Sequence, residues 1–234
     1  MRIIVTEFPK SGGSWLTSML ADVLGIPARD LYVDNSFKTF DLTNHPWYLG
    51  DTSWELTESC VIKSHEWYGT IGHNFPANTL HLMRDGRDVV VSKYFFHKDF
   101  EVNNQITESF DYAFDEFVEK TGIEWAEYVT AWSAADVLQV TYEELLNNTF
   151  ETLRGILRRF DVDVGKDQII RGIQANTRGK FREKLDKAFS HNTFVRKAVS
   201  GDWANYFSPE NKQVFKKAAG EALIAMGYER DMSW

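Results

Sequence analysis

Short apolar runs alternate with segments of helical periodicity along most of this chain. The apolar runs have the length of buried strands, and they predict strands at residues 2–8, 60–63, 79–83 and 137–140. Apolar positions three or four residues apart predict helices at residues 14–24, 88–97, 110–132, 142–160, 167–174 and 209–226. Strands that alternate with helices indicate a parallel sheet with helices on both faces, which is the α/β class.

Two stretches have no clean period, residues 29–59 and residues 178–204. The first is rich in aromatic side chains, and two interpretations are open for it: a lid or substrate wall, and an aromatic-packed surface layer. Ligands of parallel sheets bind at the carboxyl ends of the strands. The segments that directly follow each predicted strand are therefore the candidates for function.

The segment after the first strand, residues 9–15, reads PKSGGSW and precedes a predicted helix. Backbone N–H groups at a helix N-terminus attract anions, and glycines let a phosphate approach the backbone closely. Lys10 adds a charge, while Ser11 and Ser14 add hydroxyl donors. The lysine precedes the glycines and the chain contains no GK[ST], so this is not the nucleoside-triphosphate P-loop. An ordinary strand–turn–helix corner with a capping serine is the alternative interpretation.

Composition and charge narrow the classes of function. The 234 residues suit a single domain, residues 1–234. A net charge of −8 argues against nucleic acid and anionic membranes as partners. No apolar run approaches the roughly 18 residues that span a bilayer, no signal peptide is visible, and Cys60 is the single cysteine. We therefore expect a cytoplasmic protein and, without a Cys/His cluster, no metal.

Three further motifs follow predicted strands or lie late in the chain. They are KSH at residues 63–65, RDGRDVVVS at residues 84–92 and FVRKAVSGDW at residues 194–203. Together with PKSGGSW, and in this order, they resemble the cytosolic-type sulfotransferases that use 3′-phosphoadenosine 5′-phosphosulfate (PAPS), in particular compact bacterial-like members. The resemblance implies a P-loop-like three-layer α/β fold with a central parallel sheet. It also implies PAPS as co-substrate, 3′-phosphoadenosine 5′-phosphate (PAP) as product, and no metal.

The resemblance implies nucleotide-binding roles for eleven residues. Arg84 and Ser92 match a pair that holds the 3′-phosphate, and Arg196 and Lys197 match a second clamp on the same group. Tyr142 matches a tyrosine near the adenine. The first loop matches the 5′-phosphosulfate loop, with its tryptophan against the adenine, and its members are Lys10, Ser11, Gly12, Gly13, Ser14 and Trp15.

Three residues are implied in the reaction itself. His65 matches the catalytic base, and Lys10 and Lys63 are the lysines expected to stabilise charge near the sulfuryl group. The residue types suit this chemistry independently of any family. A neutral histidine can take the proton of the acceptor, and a lysine stabilises the charge that builds up on the departing phosphate.

Structural alternatives remain open for these residues. His65 and Tyr142 could be core residues, and Arg84 could pair with Asp85 or Asp88. The cations at residues 196–197 could form a solvated pair. Two positions also depart from the family pattern. Gly13 stands where a hydroxyl residue is usual, and Ala198 stands where glycine is usual; the Ala198 methyl group would crowd the 3′-phosphate if that backbone needs a positive φ.

The predicted function is transfer of a sulfuryl group from PAPS to a hydroxyl, less favourably an amine, of a small-molecule acceptor. A P-loop-type nucleotide kinase is one alternative, which the missing GK[ST] disfavours, and a non-catalytic nucleotide-binding module is another. The sequence carries no signal of the oligomeric state. Aromatic residues that flank the proposed base could form a wall for the acceptor: Trp47, Tyr48, Trp54, Trp67 and Tyr68.

Overall fold

A computed structural model describes residues 1–30, 59–68, 78–186 and 195–234. The strands are β1 (Arg2–Glu7), β2 (Ala28–Asp30), β3 (Cys60–Ser64), β4 (Thr79–Met83) and β5 (Leu138–Thr141). The α-helices are α1 (Gly13–Leu24), α2 (Gly86–Phe95), α3 (Phe114–Ser133), α4 (Tyr142–Asn147), α5 (Thr149–Arg159), α6 (Lys166–Ala175), α7 (Arg178–Asp186) and α8 (Pro209–Ala225). A π-helix (Phe96–Glu101) continues α2, and a 3-10 helix (Asp202–Asn205) precedes α8.

The strands described form one parallel sheet in the order β2-β3-β1-β4-β5. β1 lies at its centre, where Ile4 is in register with Ile62 of β3 and Val5 with Leu80 of β4. The residues of β3 and β4 are buried along their whole length. Burial on both faces explains why the sequence shows continuous apolar runs here and no alternation of apolar with polar positions.

Helices cover both faces of the sheet. Leu80 and Leu82 of β4 belong to the same buried cluster as Leu16 of α1. His81, between them, points to the other face, where its ring stacks on that of Trp132 in α3 with centres 5.5 Å apart. Because neighbouring strand positions point to opposite faces, these contacts define two helical layers around the sheet. The predicted three-layer α/β fold is confirmed.

Residues 142–160, predicted as one helix, form two helices. Thr141 begins α4 through a capping box, in which its side chain accepts a hydrogen bond from the Glu144 N–H. α4 ends at Asn148, whose φ of −142° is not helical, and α5 begins at the next residue. Asparagine favours such breaks because its short polar side chain stabilises non-helical backbone. The prediction of one continuous helix is therefore wrong at this position.

Residues 178–204, predicted to be irregular, contain α7 and the 3-10 helix. The buried face of α7 is carried by Phe181 and Leu185, two apolar residues among charged ones, and so the apolar pattern was too sparse to predict the helix. β2 was also missed, because its three residues are strand only through pairing with β3, with Ala28 in register with Val61. Most of the aromatic stretch at residues 29–59 lies outside the described residues.

Candidate functional site

A cleft of about 620 Å³ lies at the carboxyl edge of the sheet, with walls from the segments that follow β1, β3, β4 and β5. Its volume is that of a small-molecule or cofactor site, and its position is the one expected for a parallel sheet. Ser11 is not among the lining residues found. The predicted site residues that line the cleft are Lys10, Gly12, Gly13, Ser14, Trp15, Lys63, His65, Arg84, Ser92, Tyr142, Arg196 and Lys197.

The loop after β1 turns sharply into α1. Gly12, at the N-cap, has a φ of 104°, which glycine adopts without strain, and it has no side chain to cap the helix; the Glu7 carboxylate accepts from the Gly13 N–H instead. A Cβ at Gly12 would lie 2.7 Å from the ring of Tyr142, so that ring packs directly on the loop backbone. The alternative of a corner capped by a serine is therefore wrong. Gly13 and Ser14 in the first turn of α1 line the cleft instead.

The two ends of the loop differ in their surroundings. Ser11 is 1% exposed, and its Oγ has no hydrogen-bond partner among the described residues. Trp15 lines the cleft, and its indole N–H donates to the backbone oxygen of Asn176 at 2.8 Å. Its ring meets the edge of the Tyr142 ring, with centres 6.2 Å apart. These contacts fix the orientation of two aromatic rings beside the loop.

Lys10 bridges the first loop and the π-helix. Its backbone has a φ of 77°, and its carbonyl oxygen accepts a hydrogen bond from Nη1 of Arg84 at 3.1 Å. Its Nζ lies 3.9 Å from the centre of the Phe96 ring. Burial lowers the pKa of Lys10 to about 7, against the opposing charge of Glu7. The charge on this lysine therefore depends on the anions near it.

Lys63, at the end of β3, is held by an acidic residue and a hydroxyl. Its Nζ lies 2.6 Å from Oδ2 of Asp30 and donates to Oγ of Ser14 at 3.3 Å. Burial lowers the pKa of Lys63, but the negative charges of Asp30 and Glu7 outweigh burial, so the pKa is raised. Lys63 is thus a fixed positive charge directly beside the first turn of α1.

The imidazole of His65 is oriented by the backbone of β1. Its Nδ1 lies 2.9 Å from the carbonyl oxygen of Glu7. Because a carbonyl oxygen can only accept, Nδ1 carries the proton and Nε2 is the basic nitrogen. Burial, followed by the charge of Lys63, holds the pKa of His65 well below 6.5. His65 is therefore neutral at pH 7, and it lines the cleft rather than the core.

Arg84 joins the first loop to the late segment of the chain. Its Nη1 and Nη2 donate to the backbone oxygens of Lys10 and Val199 at 3.1 and 3.0 Å. Its guanidinium carbon lies 4.4 Å from the centre of the Tyr142 ring. Its contact with Asp88 is long, at 4.0 Å. Arg84 is therefore anchored mainly by backbone oxygens and an aromatic ring, and it keeps its positive charge on the cleft wall.

The acidic neighbours of that arginine have other partners. Asp88 accepts hydrogen bonds from the N–H groups of Gly201 and Trp203 at 2.7 and 2.9 Å. Asp85 pairs with Arg87 at 2.7 Å. The GDW end of the late motif is thus attached to the first turns of α2, which brings the preceding cations to the cleft.

A side recess of about 140 Å³ adjoins the cleft and shares Ser92, Phe96 and Arg196 with it. Arg182 of α7 also lines this recess, and it was missed in the sequence analysis because α7 itself was not predicted. Two guanidinium groups and a hydroxyl around one small volume are donors that suit a phosphate, and the carboxylate of Asp99 lies on the same wall, so the recess has a net positive lining.

Arg196 and Lys197 share one carboxylate, that of Asp202, with both distances at 2.8 Å. Burial raises the pKa of Asp202, but hydrogen bonds from Lys197, Asn205 and Arg196 outweigh it and lower the pKa to about 2. The two cations are thus held in place by an ionised partner, and their side chains are 25% and 44% exposed at the mouth of the cleft. Ala198 follows with a φ of 52°, so the backbone at this departure from the family pattern does need a positive φ.

Several residues that line the cleft were missed from the sequence. Glu7 and Asp30 end β1 and β2, His97 and Glu101 lie in the π-helix, and Arg178 begins α7. Nδ1 of His97 lies 2.5 Å from Oε2 of Glu101. Glu7 could have been noticed, because a charged residue in an apolar strand signals a buried polar group. The others depend on elements that the apolar pattern did not reveal.

The aromatic wall predicted for the acceptor is described only in part. Trp67 and Tyr68 pack on α3, with ring centres 5.2 Å from Tyr128 and 5.6 Å from Trp132. Neither is among the residues found to line the cleft, and their part in an acceptor wall stays a prediction. The other predicted members lie outside the described residues: Trp47, Tyr48 and Trp54.

Cations and a neutral imidazole meet at a helix N-terminus in a chain whose net charge is −8. This arrangement defines a P-loop-like α/β protein that can bind an anionic ligand and take a proton beside it. In the part of the chain that the structure describes, no group of His, Cys, Asp and Glu residues could hold a metal ion. Within the same ranges, no helix has the length and apolar character needed to cross a membrane.

The family model of the sulfotransferase domain matches residues 1–227, and the chain therefore belongs to the sulfotransferase family of enzymes, as its motifs predicted. It is 26% identical to human sulfotransferase 2A1, over 97% of this chain and 86% of that protein. It is 27% identical to 3-alpha-hydroxysteroid sulfotransferase of Cavia porcellus, over 99% and 86%. Mouse sulfotransferase SULT7A1, solved in complex with PAP, has the same fold, with a TM-score of 0.70 at 18% identity over 95% of this chain and 84% of that one.

Proposed function

We propose that this enzyme transfers a sulfuryl group from PAPS to a hydroxyl group of a small molecule and releases PAP. PAPS supplies the sulfuryl group in this reaction. The observation that carries the proposal is the convergence of Lys10, Lys63, Arg84 and Arg196 with His65 around one cleft. Membership of the sulfotransferase family supports the chemistry, and the PAP in the related mouse structure supports the nucleotide.

The donor set fits a nucleotide with anionic groups at two ends. The first turn of α1, with Lys10, suits the 5′ end, and Ser11 supports the loop before that turn, since its N–H bonds the Phe8 carbonyl and its side chain is buried. The recess with Ser92 suits a 3′-phosphate. The residues proposed to hold the nucleotide are Lys10, Ser11, Gly12, Gly13, Ser14, Trp15, Arg84, Ser92, Tyr142, Arg196 and Lys197.

His65 is the proposed general base. Its Nε2 takes the proton of the acceptor hydroxyl, while the Nδ1–H bond to the Glu7 carbonyl keeps the ring in one tautomer and orientation. Lys63 and Lys10 stabilise the negative charge that develops on the leaving phosphate oxygen. The contact with Asp30 positions Lys63 for this task, because it fixes the ammonium group next to the first turn of α1.

The acceptor in this proposal is a small hydroxylated molecule, with an amine as the less favoured alternative. A relative named for a hydroxysteroid, 27% identical, supports an apolar alcohol. Phe96 supplies an apolar wall on the side of the cleft where Lys10 lies. The net charge of −8 disfavours polyanionic acceptors, because their approach would be repelled.

We also propose a cytoplasmic location and a single domain over residues 1–234. Cys60 is a buried free thiol, which is typical of reducing compartments. One buried cluster contains both Phe8, next to β1, and Leu223 of α8, which supports one core. Family membership argues against the nucleotide kinase and against the non-catalytic module.

The proposal is tested by measuring PAP release from PAPS with a hydroxysteroid, a flavonol, a simple phenol and an arylamine as acceptors. We expect turnover with at least one hydroxyl acceptor. The His65→Asn variant should lose about 10²–10⁴-fold in kcat, the usual contribution of a general base. Its Kd for PAP should stay unchanged, because a neutral ring adds no charge to the nucleotide site.

His97→Asn is the matched control, since His97 lines the same cleft but pairs with Glu101. It should keep far more activity than the His65 variant. Equal losses in kcat and in PAP affinity for His65→Asn would contradict the assignment of the base. Failure of the wild-type enzyme to release PAP with any acceptor would contradict the function.

A further inference from the structure

Glu7 and Gly13 form a matched pair at the floor of the cleft. The Glu7 carboxylate is 2% exposed and accepts a hydrogen bond from the Gly13 N–H, in the first turn of α1. A Cβ at Gly13 would lie 2.6 and 2.9 Å from Oε1 and Oε2 of Glu7, so no larger residue fits while Glu7 is in place. The glycine that departs from the family pattern therefore makes room for a buried acid.

Charged and titratable groups face Glu7 from every neighbouring element. The loop contributes Lys10, β3 contributes Lys63, β2 contributes Asp30, and α3 contributes the Tyr128 hydroxyl. His65, which follows β3, bonds the backbone oxygen of Glu7. Burial raises the pKa of the Glu7 carboxyl to about 7, although the two lysines and the Gly13 N–H oppose this effect. The carboxyl can therefore change its charge near neutral pH.

Glu7 lies where the nucleotide of the proposed function would bind. The inference therefore rests on that proposed function. Glu7 already occupies the Gly13 N–H at the N-terminus of α1, and the 5′ group of the nucleotide would bind neighbouring N–H groups of the same turn. A second negative charge at close range in a buried site disfavours the ionised form of both groups, and this drives the weaker acid to bind a proton. Sulfonates and phosphodiester-like groups are strong acids, whereas a carboxyl is a weak one. The carboxyl is thus the group that becomes neutral.

We propose that Glu7 takes up a proton from solvent when the nucleotide binds and remains a neutral acid while it is bound. Above pH 7 an ionised Glu7 must first be protonated, and this requirement weakens binding. Below pH 7 the proton is already present, and the requirement disappears. Nucleotide affinity is therefore fully developed below about pH 7 and is lost as the pH rises. Glu7→Gln keeps an oxygen for the Gly13 N–H and mimics the protonated acid.

The direct test is an infrared difference spectrum at pH 8 of the whole protein with and without PAP. The wild type should gain the C=O stretching band of a protonated carboxylic acid when PAP binds. Glu7→Gln should show no such band. In calorimetry at pH 8, Glu7→Gln should bind PAP about tenfold more tightly than the wild type, and at pH 6 the two should bind equally.

Glu101→Gln is the matched control, because Glu101 is a second buried acid that lines the cleft but pairs with His97. It should keep the band. A wild-type spectrum without the band, or a band that persists in Glu7→Gln, would overturn the inference while leaving PAP binding and the proposed function intact. Failure of the wild type to bind PAP at any pH would overturn the proposed function, and the inference with it.

Discussion

Two non-glycine residues that line the cleft have left-handed backbone, Lys10 with a φ of 77° and Ala198 with a φ of 52°. Such a conformation costs a residue with a Cβ about 1–2 kcal/mol. Arg84 donates to the backbone oxygens of Lys10 and of Val199, next to Ala198, so one side chain holds both strained segments. The strain therefore lies where the backbone approaches the proposed nucleotide, as is common at functional sites.

The backbone strain at the single residue Ala198 can be tested by measuring the free energy of unfolding. Ala198→Gly should raise it by about 0.5–1 kcal/mol in urea denaturation, because glycine accepts a positive φ without cost. Ala204→Gly is the matched control in the 3-10 helix, where the same exchange should lower stability by about 0.5–1 kcal/mol. Equal destabilisation by both exchanges would show that residue 198 is not strained.

Individual residues also show what the sequence predicts and what it does not. Residue type predicted a positive charge at Lys63 and a neutral imidazole at His65, and the role of His65 as base stays a prediction. Residue type did not predict that Asp30 would hold Lys63 or that Glu7 would lie against Gly13. Those pairings depend on the packing of strands and loops, which residue type alone does not specify.

At the scale of elements, a buried carboxylate of α2 holds the start of the 3-10 helix in the late segment. Asp88 is 1% exposed and accepts two hydrogen bonds. One comes from the N–H of Gly201, the N-cap of the 3-10 helix, and the other from the N–H of Trp203 inside that helix. Arg196 and Lys197 are held in turn by Asp202, in that same 3-10 helix. The positions of two proposed phosphate ligands therefore depend in part on the Asp88 carboxylate, beside the contacts of Arg84 with Val199 and of Arg87 with the Trp203 ring.

Removal of this carboxylate should release the segment. Asp88→Ala should lower the free energy of unfolding by about 3 kcal/mol, because two hydrogen bonds to a buried carboxylate are lost and two N–H groups lose their acceptor. Amide hydrogen exchange at Gly201 and Trp203 should accelerate, and Asp88→Asn should restore part of the protection. Unchanged exchange at these two amides would contradict the anchoring role.

The elements differ in how far the sequence predicts them. β4 was predicted at its observed bounds, because a fully buried strand is a continuous apolar run. α8 was predicted nearly as well, since Pro209 begins it and Gly227 follows it. α7 was missed because two apolar residues carry its buried face, and the break at Asn148 was missed because apolar residues continue on both sides. Local pattern predicts elements that bury much apolar surface and fails for the rest.

Across the whole molecule, the cleft is built from segments that are far apart in sequence. Arg84 contacts residues 74 positions before it and 115 positions after it. The order of parallel strands places their carboxyl ends at one edge, which is why motifs that follow β1, β3 and β4 meet. The sequence predicted this meeting from fold class, but not the route by which residues 196–202 return to α2. A chain of net charge −8 thereby concentrates cations in one place.

The central claim is that this cleft binds a nucleotide with a 3′-phosphate. Calorimetry at pH 6.5 with PAP, 5′-AMP and ATP, on the wild type and on Arg84→Ala, tests it most directly. Arg158→Ala, an exposed cation of α5 outside the cleft, is the control. We predict that the wild type binds PAP with a Kd in the micromolar range, about −8 kcal/mol, and binds 5′-AMP and ATP at least tenfold more weakly. Arg84→Ala should bind PAP at least tenfold more weakly than the wild type, and Arg158→Ala should bind it as tightly as the wild type. Equal affinity for PAP and 5′-AMP, or no PAP binding, would contradict the account.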